Sequence, residues 1–129
     1  MSRTTDELLD GFFAAIVRGD LDGIASYYAD DVAVWHNVTQ HALDRAASLD
    51  LLRYWSEQVA DIRYEVLERQ VFDGGAMQRH VVHGTARGTT IAANVCIVFH
   101  VADDRITHIY EYLDQTAVAV VFGTATASA

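Results

Sequence analysis

Residues 77–113 read MQRHVVHGTARGTTIAANVCIVFHVADDRITHIYEYL, and this stretch decides the fold. It holds three runs rich in β-branched and aromatic residues: Met77 to Ala86, Ile91 to Val101 and Ile106 to Leu113. Arg87-Gly88-Thr89 and Asp103-Asp104 separate them, and both are short enough to be hairpin connections. A fourth run, Ile62 to Phe72, precedes them across Asp73-Gly74-Gly75. Successive strands joined by tight turns predict a mostly antiparallel meander. At ~3.3 Å per residue, runs this long curl, and a cone-shaped cavity is the expected result.

The chain ahead of the meander reads as helix. Thr4 and Glu7 fit a capping box. Leu8, Leu9, Phe12, Phe13, Ile16 and Val17 then fall on one helical face. Gly19 ends that helix, and Asp20 caps a shorter one through Ile24 and Tyr27 or Tyr28. Asp31 to His36 reads as a first strand. Asp44 starts a third helix with Leu52, Trp55 and Val59 as its apolar stripe. Helices first and a meander after is an α+β order. A single domain over residues 1–122 is expected. Residues 123–129, GTATASA, have nothing large to bury and read as a flexible tail.

Composition narrows the function. Hydrophobic residues are 51% and charged residues 21%, the mix of a soluble globular chain. Nine basic against eighteen acidic residues give a net charge of −9. That balance disfavours nucleic acid and anionic membranes, which select basic faces. No apolar run reaches the ~18 residues of a membrane helix, and the first residues lack a signal-peptide pattern. A cytoplasmic protein is expected. The single Cys96 has no partner for an internal disulfide. It lies in the apolar run Val95 to Phe99, so a buried, inert thiol is expected.

Polar residues that interrupt apolar strand faces mark the candidate site. In the last strand Ile109, Glu111 and Leu113 share a face, because i and i+2 point the same way. A carboxylate there is costly unless paired, and is a candidate general acid or base. Gln78, His80 and Val82 share one face of an earlier strand, and Arg79, Val81, His83 and Thr85 share the other. One of the two histidines points inward; a one-residue bulge would swap them. Trp35 and Asn37 share a face of the first strand, with Trp35 as core and the Asn37 amide able to hold a water or a carbonyl. No metal is expected, since His80 and His83 at i, i+3 face opposite sides of a strand. Gly74-Gly75 lacks the lysine and helix of a phosphate loop.

The order of elements, with Val34-Trp35-His36-Asn37-Val38, Arg63-Tyr64-Glu65-Val66-Leu67 and Arg105-Ile106-Thr107-His108-Ile109-Tyr110-Glu111-Tyr112-Leu113-Asp114, resembles a SnoaL-like domain over residues 5–118. This family belongs to the nuclear-transport-factor-two-like superfamily, with ketosteroid isomerases and limonene-epoxide hydrolases. The resemblance implies a cystatin-like, cone-shaped α+β barrel, with a curved sheet wrapped around three helices, and a homodimer through the outer sheet face. It also implies a cavity between sheet and helices. The epoxide hydrolases hold water on a Tyr-x-Asn, matched here by Trp35 and Asn37. Their base aspartate is matched by Glu111, and their Arg-x-Asp by Gln78 and His80. Ketosteroid isomerases place their base where Asn37 stands. SnoaL-type cyclases move a proton with an acidic cavity residue, a role open to His80 or Glu111.

The resulting expectation is a cofactor-independent acid–base enzyme: isomerase, cyclase or epoxide-hydrolase-like. Its substrate would be small and mostly hydrophobic. His80, Glu111 and Asn37 would be catalytic. Trp35, Gln78, Val82, Ala93, Val95, Ile109, Tyr28 and Trp55 would bind substrate. The alternative is a non-catalytic module of the same fold that binds a hydrophobic molecule. A third reading is a partner domain presenting His83, His108, Tyr110 and Tyr112 on its outer face.

Overall fold

A computed structural model describes residues 3–123, so the expected tail beyond Gly123 lies outside the described residues. Helix α1, Thr5–Arg18, starts at the predicted capping box: Glu7 N donates to Thr4 Oγ1 at 3.1 Å and Thr4 N to Glu7 Oε1 at 2.9 Å. It stops at Gly19, whose φ of 66° suits a residue without a Cβ. Leu8, Leu9, Phe12, Phe13, Ala15 and Ile16 are buried. Val17 turns away from that face and is exposed. Helix α2, Leu21–Tyr27, is capped by Asp20, and α3, Arg45–Gln58, by Asp44. Strand β1 is Tyr28–His36, so it begins three residues before the predicted Asp31. Tyr28 therefore opens a strand and does not close a helix.

A two-residue strand β2, Ala42–Leu43, precedes α3. The meander follows as β3, Ala60–Phe72, β4, Gly75–Ala86, β5, Thr89–Ala102, and β6, Arg105–Leu113. A short helix α4, Ala119–Phe122, then stacks Phe122 on Trp55, ring centroids 5.8 Å apart. Its four residues and those of β2 are too few for a periodic pattern to reveal.

The six strands form one open sheet in the order β2-β1-β6-β5-β4-β3. All neighbours are antiparallel except β1 and β6, which run parallel. The fold is thus the expected α+β one. Arg87 and Gly88 both have positive φ, as do Asp103 and Asp104. Two such residues in a row give the hairpin turn whose twist matches the strands. The helices cover one sheet face. Phe12 and Phe13 of α1 meet Phe99 of β5 edge-on at 6.0 and 5.9 Å.

The one-residue irregularity nearest the two histidines lies on β3 and not on β4. Val66 opposes His80 and Glu68 opposes Arg79, leaving Leu67 as the extra residue. Strand β4 keeps an unbroken alternation, so His80 faces inward and His83 outward. Strand β5 alternates as strictly: Ile91, Ala93, Val95, Ile97 and Phe99 are buried. Cys96 therefore lies on the outer face and is exposed, which corrects the expectation of a buried thiol.

Candidate functional site

The parallel pairing of β1 with β6 builds the site. It sets Val34 opposite Ile109 and His36 opposite Glu111. Val34 and Ile109 are both buried, which identifies this as the inner face. His36 Nε2 stands 2.9 Å from Glu111 Oε1, with the side chains 13% and 22% exposed. The inward carboxylate thus has an imidazole partner, and that partner is His36.

Trp35 is corrected accordingly. It lies on the outer face, its ring 5.2 Å from that of Tyr112. Every residue from Val32 to Trp35 is apolar, so the sequence alone left the phase of β1 open. Continuing Val32 and Val34 by i+2 reaches His36, a signal that could have found it.

Asn37 is corrected too. Just past β1, its Nδ2 donates to Leu113 O at 3.2 Å and its Oδ1 accepts from Leu113 N at 3.0 Å. Its own N donates to Glu111 O at 3.0 Å. Asn37 continues the strand pairing beyond His36 and holds β6 at Glu111 through its backbone and at Leu113 through its amide. It is occupied by β6 rather than directed at a ligand. Asn37→Ala leaves two backbone groups without partners and is expected to lower unfolding free energy by about 1–3 kcal/mol. A urea melt measures this; an unchanged midpoint would contradict the assigned role.

Tyr28, Tyr64 and His80 all feel the Glu111 charge. Tyr28 Oη and Ser48 Oγ are 2.9 Å apart and buried. Burial pushes the Tyr28 phenol up to about 12, and the Glu111 charge adds to this. Burial raises Tyr64 further, again with Glu111 contributing. Both phenols stay protonated donors at neutral pH. Tyr64 was missed as a candidate, although Ile62, Tyr64 and Val66 repeat at strand period.

His80 is 2% exposed. Its ring meets Tyr64 at 5.0 Å and Phe13 at 5.5 Å, both edge-on. Its Nδ1 lies 2.9 Å from Gln78 Nε2. Burial lowers the His80 pKa, Glu111 opposes the shift and Arg69 reinforces it. The folded chain therefore binds this proton less readily than the unfolded chain does. Between the unfolded pKa near 6.5 and the lower folded one, the unfolded chain binds more protons. Stability is full above that window and falls as pH falls through it. Urea midpoints at pH 7.5 and 5.0 are expected to drop more in wild type than in His80→Leu. Equal drops would contradict the buried neutral imidazole.

His83 faces outward and pairs with Glu65 at 2.9 Å. Tyr110 and Tyr112 are exposed on the same outer face, and the stacked ring of His108 lies 6.3 Å from that of Tyr110. Gln78, Val82, Ala93, Val95, Ile109, Tyr28 and Trp55 are all buried, Trp55 against Phe122 of α4. Two open hollows lie beside the rings of His80 and Tyr64. One of about 310 Å³ is walled by the outer-face residues Leu67, Arg79, Asn94, Cys96 and Tyr112 together with His80 and Val95. One of about 260 Å³ lies between α1 and β3, with Tyr64 and Arg69 in its wall. Among the described residues, no three His, Cys, Asp or Glu side chains gather as a metal-binding group. Nor is any helix among them long and apolar enough to cross a membrane.

Solved structures share this architecture. IdmH, a proposed polyketide cyclase from Streptomyces antibioticus, is similar with a TM-score of 0.81 and 17% identity, covering 95% of this chain and 100% of its own. A proposed SnoaL-like polyketide cyclase from Shewanella denitrificans gives 0.79 and 13%, covering 92% and 96%. A hypothetical protein with a ketosteroid isomerase-like fold from Catenulispora acidiphila, in complex with trimethylamine, gives 0.78 and 14%, covering 95% and 98%. At these identities the likeness shows the fold. A comparison with curated protein sequences yields no match. The model of the SnoaL-like domain matches residues 9–109, a span that takes in α1 but for its first four residues, α2, α3 and all of the sheet but its last four residues, and the chain belongs to that family.

Proposed function

We propose that this chain is a cofactor-independent acid–base enzyme of the cyclase or isomerase type, acting on a small, mostly apolar carbonyl compound. The inward His36–Glu111 pair at 2.9 Å carries this reading. His36 holds one carboxylate oxygen and leaves the other for substrate. Glu111 takes a proton from carbon beside the carbonyl. The C–H bond breaks, an O–H bond forms on Glu111, and the electron pair moves to the carbonyl oxygen. Return of the proton to another carbon gives isomerisation. Attack of the carbanion on a second carbonyl, with the proton passing to the new alkoxide, gives ring closure. The family and its cyclase-named structural relatives support this class. Epoxide hydrolysis is less well supported, because the Asn37 amide that would hold water is bonded to Leu113.

A second reading, a binding module without chemistry, is favoured by one observation: the two hollows lie beside the pair rather than around it. The test is a turnover screen of enones, poly-β-carbonyl compounds and epoxides, with binding followed in parallel by tryptophan fluorescence. Turnover with a bell-shaped pH–rate profile is the expected result. Binding without turnover of any of them would favour the module instead. The proposal extends to a cytoplasmic protein paired through its outer face, where Trp35, Tyr110 and Tyr112 supply an aromatic patch. A concentration-independent monomer in sedimentation would remove that pairing.

A further inference from the structure

Gln78 stands between two groups that leave it one orientation. Arg69 Nε, which only donates, lies 2.8 Å from Gln78 Oε1. The amide NH₂ is therefore the end that faces His80 Nδ1 at 2.9 Å. An amide NH₂ also only donates, so Nδ1 must accept and carries no proton. Neutral His80 then holds its proton on Nε2. A doubly protonated ring would set N–H against NH₂ where Gln78 is 0% and His80 2% exposed.

Arg69 is fixed in turn. Its NH1 donates to Asp10 Oδ1 at 2.9 Å and Asp6 Oδ1 at 3.1 Å. Its side chain is 14% exposed. Two carboxylates of α1 thus hold the guanidinium, the guanidinium orients the amide, and the amide sets the ring. The far side of the ring is free. Among the described residues, Arg45 Nε is the one fully buried side-chain N or O without a partner. His80 Nε2 makes no hydrogen bond to another group among the described residues and is left as the spare donor of the ring.

We infer that Asp6, Asp10, Arg69 and Gln78 form a positioning relay that fixes His80 as the Nε2–H tautomer, so that His80 donates a hydrogen bond to the substrate's carbonyl oxygen. The donor role rests on the acid–base reading above; the tautomer does not. While Glu111 takes the carbon-bound proton, the electron pair reaches the carbonyl oxygen and the Nε2–H group meets it there. No bond to His80 forms or breaks. His80 is thereby removed from the proton-carrying role expected of it in the sequence, because the nitrogen that faces substrate has no lone pair to offer. The site selects ligands that present an oxygen acceptor.

The test is nitrogen NMR on the full chain with ¹⁵N-labelled histidine at pH 7.5, without ligand. Wild type is expected to show His80 protonated at Nε2 and bare at Nδ1. Arg69→Met frees the amide to turn and is expected to mix the two tautomers. Gln78→Glu keeps an acceptor for Arg69, sets another beside Nδ1, and moves a proton onto Nδ1. An Nδ1–H tautomer in wild type, or a Gln78→Glu spectrum like that of wild type, would overturn the relay. No substrate enters this measurement, so its failure is distinct from failure of the acid–base assignment. With a turned-over enone, Gln78→Glu is expected to lower kcat by about 10²–10³. A switched tautomer with unchanged kcat would overturn the donor role.

Discussion

Glu111→Gln is expected to lower kcat by about 10²–10⁴ while leaving the fold intact. The amide has the size of the carboxylate and still offers an oxygen to His36 Nε2, 2.9 Å from the present oxygen. It has no basicity to take a proton from carbon. The side chain is 22% exposed, so its exchange opens no cavity in the core. Steady-state kinetics and a urea melt on the same sample separate the two effects. A large kinetic loss with an unshifted midpoint supports the base role. Retained turnover would contradict it. His36→Gln is expected to lose less, because the carboxylate remains and only its orientation is relaxed.

Phe99→Ala is expected to cost about 3–5 kcal/mol of unfolding free energy. Phe99 is fully buried, and its ring is the one on β5 that both α1 phenylalanines touch. Removing it leaves a void between helix and sheet that neither rigid element can close. Small domains hold only ~5–15 kcal/mol in all, so the loss is a large fraction of the total. Val98→Ala, one residue along on the opposite face and only half-buried, is expected to cost well under half as much. Equal urea shifts for the two would contradict the assignment of inner and outer faces.

The fold was legible because its signals are local. A capping box, a glycine stop, two aspartate caps and three tight turns each name an element without reference to any other. The site was legible in part. Glu111 stood out as a charge between Ile109 and Leu113, and Gln78 and His80 as polar residues beside Val82. Their partners were not legible, because partnership comes from pairing across the sheet. The parallel β1–β6 register brings His36 to Glu111 across 75 residues of chain, and turns Trp35 outward with it. Size made Trp35 look like core, yet register outweighs size. The His80–His83 ambiguity ended on β4 itself, whose alternation runs unbroken and turns Gln78, His80 and Val82 inward together. Cys96 looked buried from its apolar neighbours, although alternation along β5 exposes it.

The most direct test of the His36–Glu111 assignment is a double-mutant cycle on kcat, with His36→Gln, Glu111→Gln and both together. A residue that acts only by orienting Glu111 adds little further loss once Glu111 is replaced, so the two losses do not multiply. The double variant is therefore expected to fall within about tenfold of Glu111→Gln alone. Losses that multiply fully, or single variants as active as wild type, would contradict the pair as the proton-transfer site.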